Sequence, residues 1–226
     1  MLLAATAAAQ DPLLAKKQAV LFPPGLAGKA KANAAEFPWA AAIQKEIVDG
    51  AARWLNTSDD ELWDFMFGPA ISRSWMVWSD GFCPSCKKDV KMYTWKIAAW
   101  DRPWKVQCPH CGEFFPKNDF PAFYRSGLDE QGVFQPAKAD RSLLFNAEHP
   151  ALSDPLHSFG VDDGEGYLDS EGRRWRFIGA YLIYGQWKQR IVSGAQCLSD
   201  AYLATGDPIC AHKTIVLLDR IADLFP

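Results

Sequence analysis

The sequence predicts a mainly α-helical fold interrupted by one small β insert, and three observations carry that prediction. Apolar residues recur at steps of three and four from Pro38 and again along residues 184–225, the period of helices that bury one face. Residues 92–97 alternate instead and are rich in β-forming side chains. Two Cys-x-x-Cys pairs, Cys83-Pro-Ser-Cys86 and Cys108-Pro-His-Cys111, bracket that stretch. This is the pattern that ties two tight turns to one tetrahedral zinc ion.

Composition bounds the function. With 226 residues, 49% of them hydrophobic, the chain can bury a sizeable core. A net charge of −3 and the lack of a basic run argue against nucleic acid as a partner. Ten Trp and fourteen Phe suit a core, and equally a surface that stacks on sugar rings. No stretch is long and apolar enough to span a membrane, so no membrane partner is expected.

Taken in order, residues 1–10 resemble the end of an export signal, a short apolar run closing on an Ala-x-Ala pattern, although the charged start is missing. An Ala-rich tail is the alternative; export to the periplasm or exterior is the expectation. Residues 11–37, with Pro12 and Pro23-Pro24-Gly25, read as an extended lead-in. Residues 38–80 open with a helix whose stripe is Ile43, Ile47, Ala51 and Trp54, followed by a short one opened by a capping box, Ser58 to Glu61. Asn56-Thr57-Ser58 also matches a glycosylation sequon, but capping accounts for Ser58 better.

Residues 81–116 form the ribbon, with a strand over Met92–Ile97, a turn at Asp101-Arg-Pro103 and a return through Trp104–Gln107. Cys83, Cys86, Cys108 and Cys111 are the expected ligands of a structural zinc ion; short-range disulfides are the weaker account, because adjacent Cys-x-x-Cys bridges are strained. Trp95, Trp100 and Trp104 either build the small core such an insert needs or form a sugar-binding platform. Residues 117–175 are rich in turns and hold one hairpin around Asp169-Ser-Glu-Gly172. The acidic group Asp162, Asp163 and Glu165 lacks the ligand spacing of a calcium loop and reads as a solvated turn.

Residues 176–226 carry the clearest helical signal. Tyr184, Trp187, Ile191, Gly194, Leu198 and Ala201 mark one stripe, and Ala211, Ile215, Leu218, Ala222 and Phe225 the next. Thr205-Gly206 ends the first helix and Asp207-Pro208 starts the second. The result is an αα-hairpin with Cys197 and Cys210 as buried free thiols. Its apolar faces want neighbours, so the sequence reads as cut short after Pro226.

The run from Cys108 to Asp119, with Ser126–Gly132 and Ala180–Trp187, resembles the N-terminal region of heparinase II/III-like polysaccharide lyases. The resemblance covers roughly residues 38–226. It implies a partial (α/α) toroid of helical hairpins, with the ribbon inserted, and an acidic polysaccharide as substrate. Such enzymes cleave uronic-acid-containing chains by β-elimination, which requires a base and a donor that neutralises the carboxylate. No Asn-His pair here receives those roles, so catalytic residues are unassigned and expected beyond Pro226. Tyr184, Gln186 and Trp187 are the candidate substrate-binding residues, since inner toroid helices present such groups to sugars. Tyr184 and Trp187 also sit on the apolar stripe; Gln186 lies off it and reads as the better surface group. His110, His149, His157 and His212 lack partners at ligand or triad spacing and read as structural. A non-catalytic carbohydrate- or protein-binding module with a structural zinc ribbon is the alternative.

Overall fold

The computed structural model describes residues 25–77 and 80–225. The Ala-rich start, and the export expectation that rests on it, lie outside the described residues. The fold is mainly helical. Helices α1 (Leu26–Glu36), α2 (Pro38–Leu55) and α3 (Asp59–Trp63) precede the cysteine-bearing segment. Two short antiparallel pairs follow, β1 (Val106–Gln107) with β2 (Phe114–Phe115) and β3 (Tyr167–Leu168) with β4 (Arg174–Trp175); α4 (Phe120–Ser126) lies between them. The tail is one continuous helix followed by another. It begins as α5 (Phe177–Tyr181), winds as a π-helix over Leu182–Val192, and returns to α-helix in α6 (Ser193–Thr205). Gly206, at φ 69°, turns the chain into α7 (Pro208–Leu224). No helix among the described residues is long and apolar enough to cross a membrane.

Helix α2 packs on α6, α6 on α7, and α3 on α7. Proline fills the first turn of α2, where no intrahelical N–H bond is lost. Ser58 and Glu61 form a complete capping box at α3. Gly194 sits where α2, α6 and α7 meet. A Cβ there would lie 2.4 Å from Trp54 Nε1 and 3.0 Å from Leu217 Cδ1. Gly194→Ala is therefore expected to destabilise the fold by about 1–3 kcal/mol through overpacking, read as a lowered thermal midpoint.

Several expectations need correction. Residues from Leu26 are helical rather than extended: Leu26–Glu36 is rich in Ala, the strongest helix former, although α1 buries none of its residues. The stretch Met92–Ile97 is not a strand. Tyr93 takes a left-handed conformation at φ 68°, the Thr94 amide bonds back to Lys91, and only Lys96 bridges to Gln107. The ribbon hairpin is instead β1–β2. Asp162 is not in a solvated turn but wholly buried. Its Oδ1 accepts from the Gly164 and Gly166 amides at 2.7 and 3.0 Å, and its Oδ2 from Ile178 N–H at 3.0 Å.

The stripe expected for α7 is also reversed. Ile215 is 63% and Leu218 50% exposed, whereas Lys213, Thr214, Leu217 and Arg220 are buried. Apolar period predicts the inward face only where polar side chains lack interior partners, and here they have them. Lys213 Nζ donates to the Thr57 carbonyl and reaches Asp59 at 3.2 Å. Arg220 pairs with Asp223 and donates to the carbonyls of Gln131 and Gly132.

Candidate metal centre and adjoining clefts

The Sγ atoms of Cys83, Cys86, Cys108 and Cys111 all lie within 4.8 Å of one another. Cys83 and Cys111 are 3.9 Å apart, as are Cys86 and Cys108. A disulfide would require about 2.05 Å. The four thiols can therefore hold one metal ion.

The two turns share a backbone design. Lys87 N–H donates to the Cys83 carbonyl at 3.0 Å, and Gly112 N–H to the Cys108 carbonyl at 3.1 Å. The residue after each second cysteine is left-handed, Lys87 at φ 58° and Gly112 at φ 79°. Glycine adopts that conformation without a steric cost, and lysine there is held by the turn. Each first cysteine amide closes the loop, Cys83 to Lys88 and Cys108 to Glu113. Amides also point at sulfur, as from His110 to Cys108 Sγ at 3.4 Å.

Burial pushes the Cys83 and Cys111 thiols above their usual range. At Cys86 burial acts upward too, but the Lys88 amide and the neighbouring thiols outweigh it and the thiol lies below the usual range. Thiols packed this closely ionise together only when a cation compensates the charge.

The cysteine-bearing segment is joined to the helical core rather than hung from it. Trp95 is only 7% exposed and packs edge-on against Phe115 and Phe177. Trp100 meets Trp54 and Phe65 edge-on, and Trp104 lies against Phe120, Tyr124 and Tyr181. Trp95 is core, and Trp100 and Trp104 are half-buried against it. The side-chain amide of Gln189 accepts from Ala99 N–H at 3.0 Å and donates to the Ile97 carbonyl at 2.7 Å, as a neighbouring strand would. Trp175 Nε1–H donates to the Phe82 carbonyl at 3.0 Å.

The three expected substrate-binding residues do not converge; each lines a different cleft. Gln186 is 2% exposed, against the expectation of a surface group. The π winding turns it inward, where its Nε2 donates to the Phe65 carbonyl at 2.7 Å and its Oε1 accepts from Tyr181 O–H at 3.0 Å. Trp187 lines an apolar cleft with Leu182, Ile221 and Phe225. Tyr184 sits edge-on to Trp75, which is 65% exposed, and to Tyr93, which is 59% exposed. The histidines have local partners: His110 with the Asp89 carbonyl, His149 with Asp154, His157 with the His149 carbonyl and His212 with Asp59.

The cleft that Gln186 lines is a cavity of about 320 Å³ between α3, α4, α7 and the π-helical segment, and sequence reasoning missed its other lining residues. Trp100, Trp104, Tyr124, Arg190 and Arg220 line it. The signal that could have found it was the presence of arginines within otherwise apolar helical patterns. Comparison of the chain with protein-family models, curated proteins and solved structures finds no match.

Proposed function

We propose that this chain is the helical front portion of a polysaccharide lyase acting on uronic-acid-containing polysaccharide, with zinc in the four-cysteine site as a structural staple. In this reading the helical hairpins belong to an (α/α) toroid and the ribbon is an insert in it. The observation that carries the reading is the arginine- and aromatic-lined cavity against the long tail helix, since acidic sugars need both positive charge and apolar surface. The resemblance of residues 108–119, 126–132 and 180–187 to heparinase II/III-like proteins supports the same reading.

Zinc suits the cysteines for a geometric reason. A bond of about 2.3 Å to each sulfur of a tetrahedron implies sulfur–sulfur edges of about 3.8 Å, against the observed 3.9 Å of the two facing pairs. Four protein ligands leave no position open for water or substrate, so the metal's contribution is to fold the ribbon. The base and the carboxylate-neutralising donor of the elimination come, by the resemblance, from later toroid helices. Expression of the full reading frame of the source gene with acidic polysaccharides should yield unsaturated uronate ends, seen as ultraviolet absorbance. Cleavage without such ends, or none on any uronate-containing chain, would refute the lyase reading.

The exposed rings of Trp75 and Tyr93 beside Tyr184 favour a second reading, a non-catalytic carbohydrate-binding module. An exposed aromatic face stacks on a pyranose ring without regard to charge. Glycan binding without unsaturated products from the full-length protein would select it.

A further inference from the structure

Arg190 has a setting that its partners within the chain do not explain. Its guanidinium lies 4.9 Å from the ring centres of both Phe65 and Trp100. One nitrogen, Nη2, donates to the Ala99 carbonyl at 2.8 Å, while Nε is buried with no hydrogen-bond partner. Among the described residues no carboxylate lies within ion-pair distance of it. Glu61, the acid whose field reaches it, is already engaged with Ser58 in the α3 capping box. Arg53 lies over the same Trp100 ring, also at 4.9 Å, and adds positive charge.

Arg220, in the same cavity, shares the unpartnered Nε but differs in charge balance. It is neutralised by Asp223 and by two backbone carbonyls. A part-buried guanidinium without a counter-charge is unfavourable unless something supplies one. The cavity volume falls within the roughly 300–1,000 Å³ usual for small-molecule sites. The Arg190 side chain is held in place by its ring stacking and the Ala99 bond. Trp54 Nε1–H, bonded to the Arg190 carbonyl at 2.7 Å, fixes the backbone beneath it.

We propose that this cavity is an anion subsite in which Arg190 receives the carboxylate of a hexuronate residue, with Trp100, Trp104 and Tyr124 against the sugar's apolar face. The guanidinium fork matches a carboxylate in two parallel hydrogen bonds, which a neutral sugar cannot form. The identity of the sugar rests on the acidic-polysaccharide reading above; the anion site itself rests on the geometry of Arg190.

The test is titration of the 226-residue protein, followed by tryptophan fluorescence, with three probes: an oligogalacturonate trisaccharide, a neutral trisaccharide, and the neutral trisaccharide carrying a sulfate ester. The acidic sugar should bind at least about tenfold more tightly than the neutral one. Arg190→Gln should remove that preference, bringing the acidic-to-neutral ratio close to one. Arg190→Lys, which retains charge and stem, should lose part of it. If Arg190→Gln proves less stable, the acidic-to-neutral ratio of the wild type decides. A ratio near one overturns the proposal, as does an unchanged ratio in both variants. Preference for the sulfated probe over the uronate would also overturn the carboxylate assignment. These readouts involve no cleavage, so the subsite can fail while the lyase reading stands, and the reverse.

Discussion

Cys86→Ser should release the metal and unfold more than the ribbon. Structural zinc in four-cysteine sites contributes an apparent binding free energy of about 10–16 kcal/mol, similar to or above the roughly 5–15 kcal/mol that separates folded from unfolded domains. The sequence by itself suggests a ribbon that melts and spares the tail. The structure argues for propagation. Cys83, Trp95, Val106, Cys108 and Phe115 belong to the same buried cluster as Phe177, Ile178 and Leu182. Loss of the cysteine clasp also removes the Gln189 bonds to Ile97 and Ala99 and the Trp175 bond to Phe82. Metal analysis should fall from one ion per chain to near zero, with a broadened, lowered thermal transition that includes the helical signal. A variant that keeps its metal and its midpoint would dismiss the four-cysteine assignment.

Asp162 is the second position where a large effect is expected. Replacement by Ala leaves three amides, the buried ones of Gly164 and Ile178 and the half-buried one of Gly166, without their acceptor. At about 1–3 kcal/mol for each unsatisfied group, the variant should lose at least about 3 kcal/mol, a shift in midpoint of roughly 6–12 °C for a chain of this size. The same residue gives stability a pH dependence of definite sign. Burial pushes its pKa from 3.8 up to about 6, against the pull of the three amides. Between these values the unfolded chain has released the proton and the folded one has kept it. Stability therefore falls as pH rises from about 4 to 6, by about 3 kcal/mol from this group, and is level above. Surface carboxylates such as Asp59, Asp129 and Asp169 have lowered pKa values and act below pH 4 with the opposite sign. The difference between the wild type and Asp162→Asn thus isolates the group. Parallel stability curves for the two proteins across pH 4–6 would refute its role.

What the sequence could convey divides along physical lines. Local grammar was readable: the Ser58–Glu61 cap, the Gly206–Pro208 turn and the spacing of four cysteines each act within a few residues of themselves. The mainly helical character followed from periodicity for the same reason. Orientation was less legible wherever polar side chains found interior partners. Ile215 and Leu218 look like a core stripe and Lys213 and Arg220 like a wet one, and only the positions of Thr57, Asp59, Gln131 and Gly132 reverse them. Gln186 was misread because a π-helical turn shifts the phase of the helix, and no residue type marks that shift. Trp95, Trp100 and Trp104 could be assigned to core or platform only once Phe177, Trp54 and Tyr181 stood beside them. The arginine cavity is assembled from five separate segments, and only Arg190 and Arg220 within otherwise apolar helices hint at it.

The Gln189 side chain, joined to Ile97 and Ala99 as a strand would be, bears on the order in which the molecule assembles. Its contacts span |i−j| of 90 and 92, whereas those between opposing cysteines span 22 and 28. The longer closure costs roughly 1 kcal/mol more chain entropy, and contacts of long range form slowly. On these separations, capture of a metal by the four cysteines would be the local event and should precede docking of the long helix on residues 83–111. A cell that limits metal during synthesis would thereby deprive the tail of its landing surface, and the ion would govern the yield of folded protein as well as its stability.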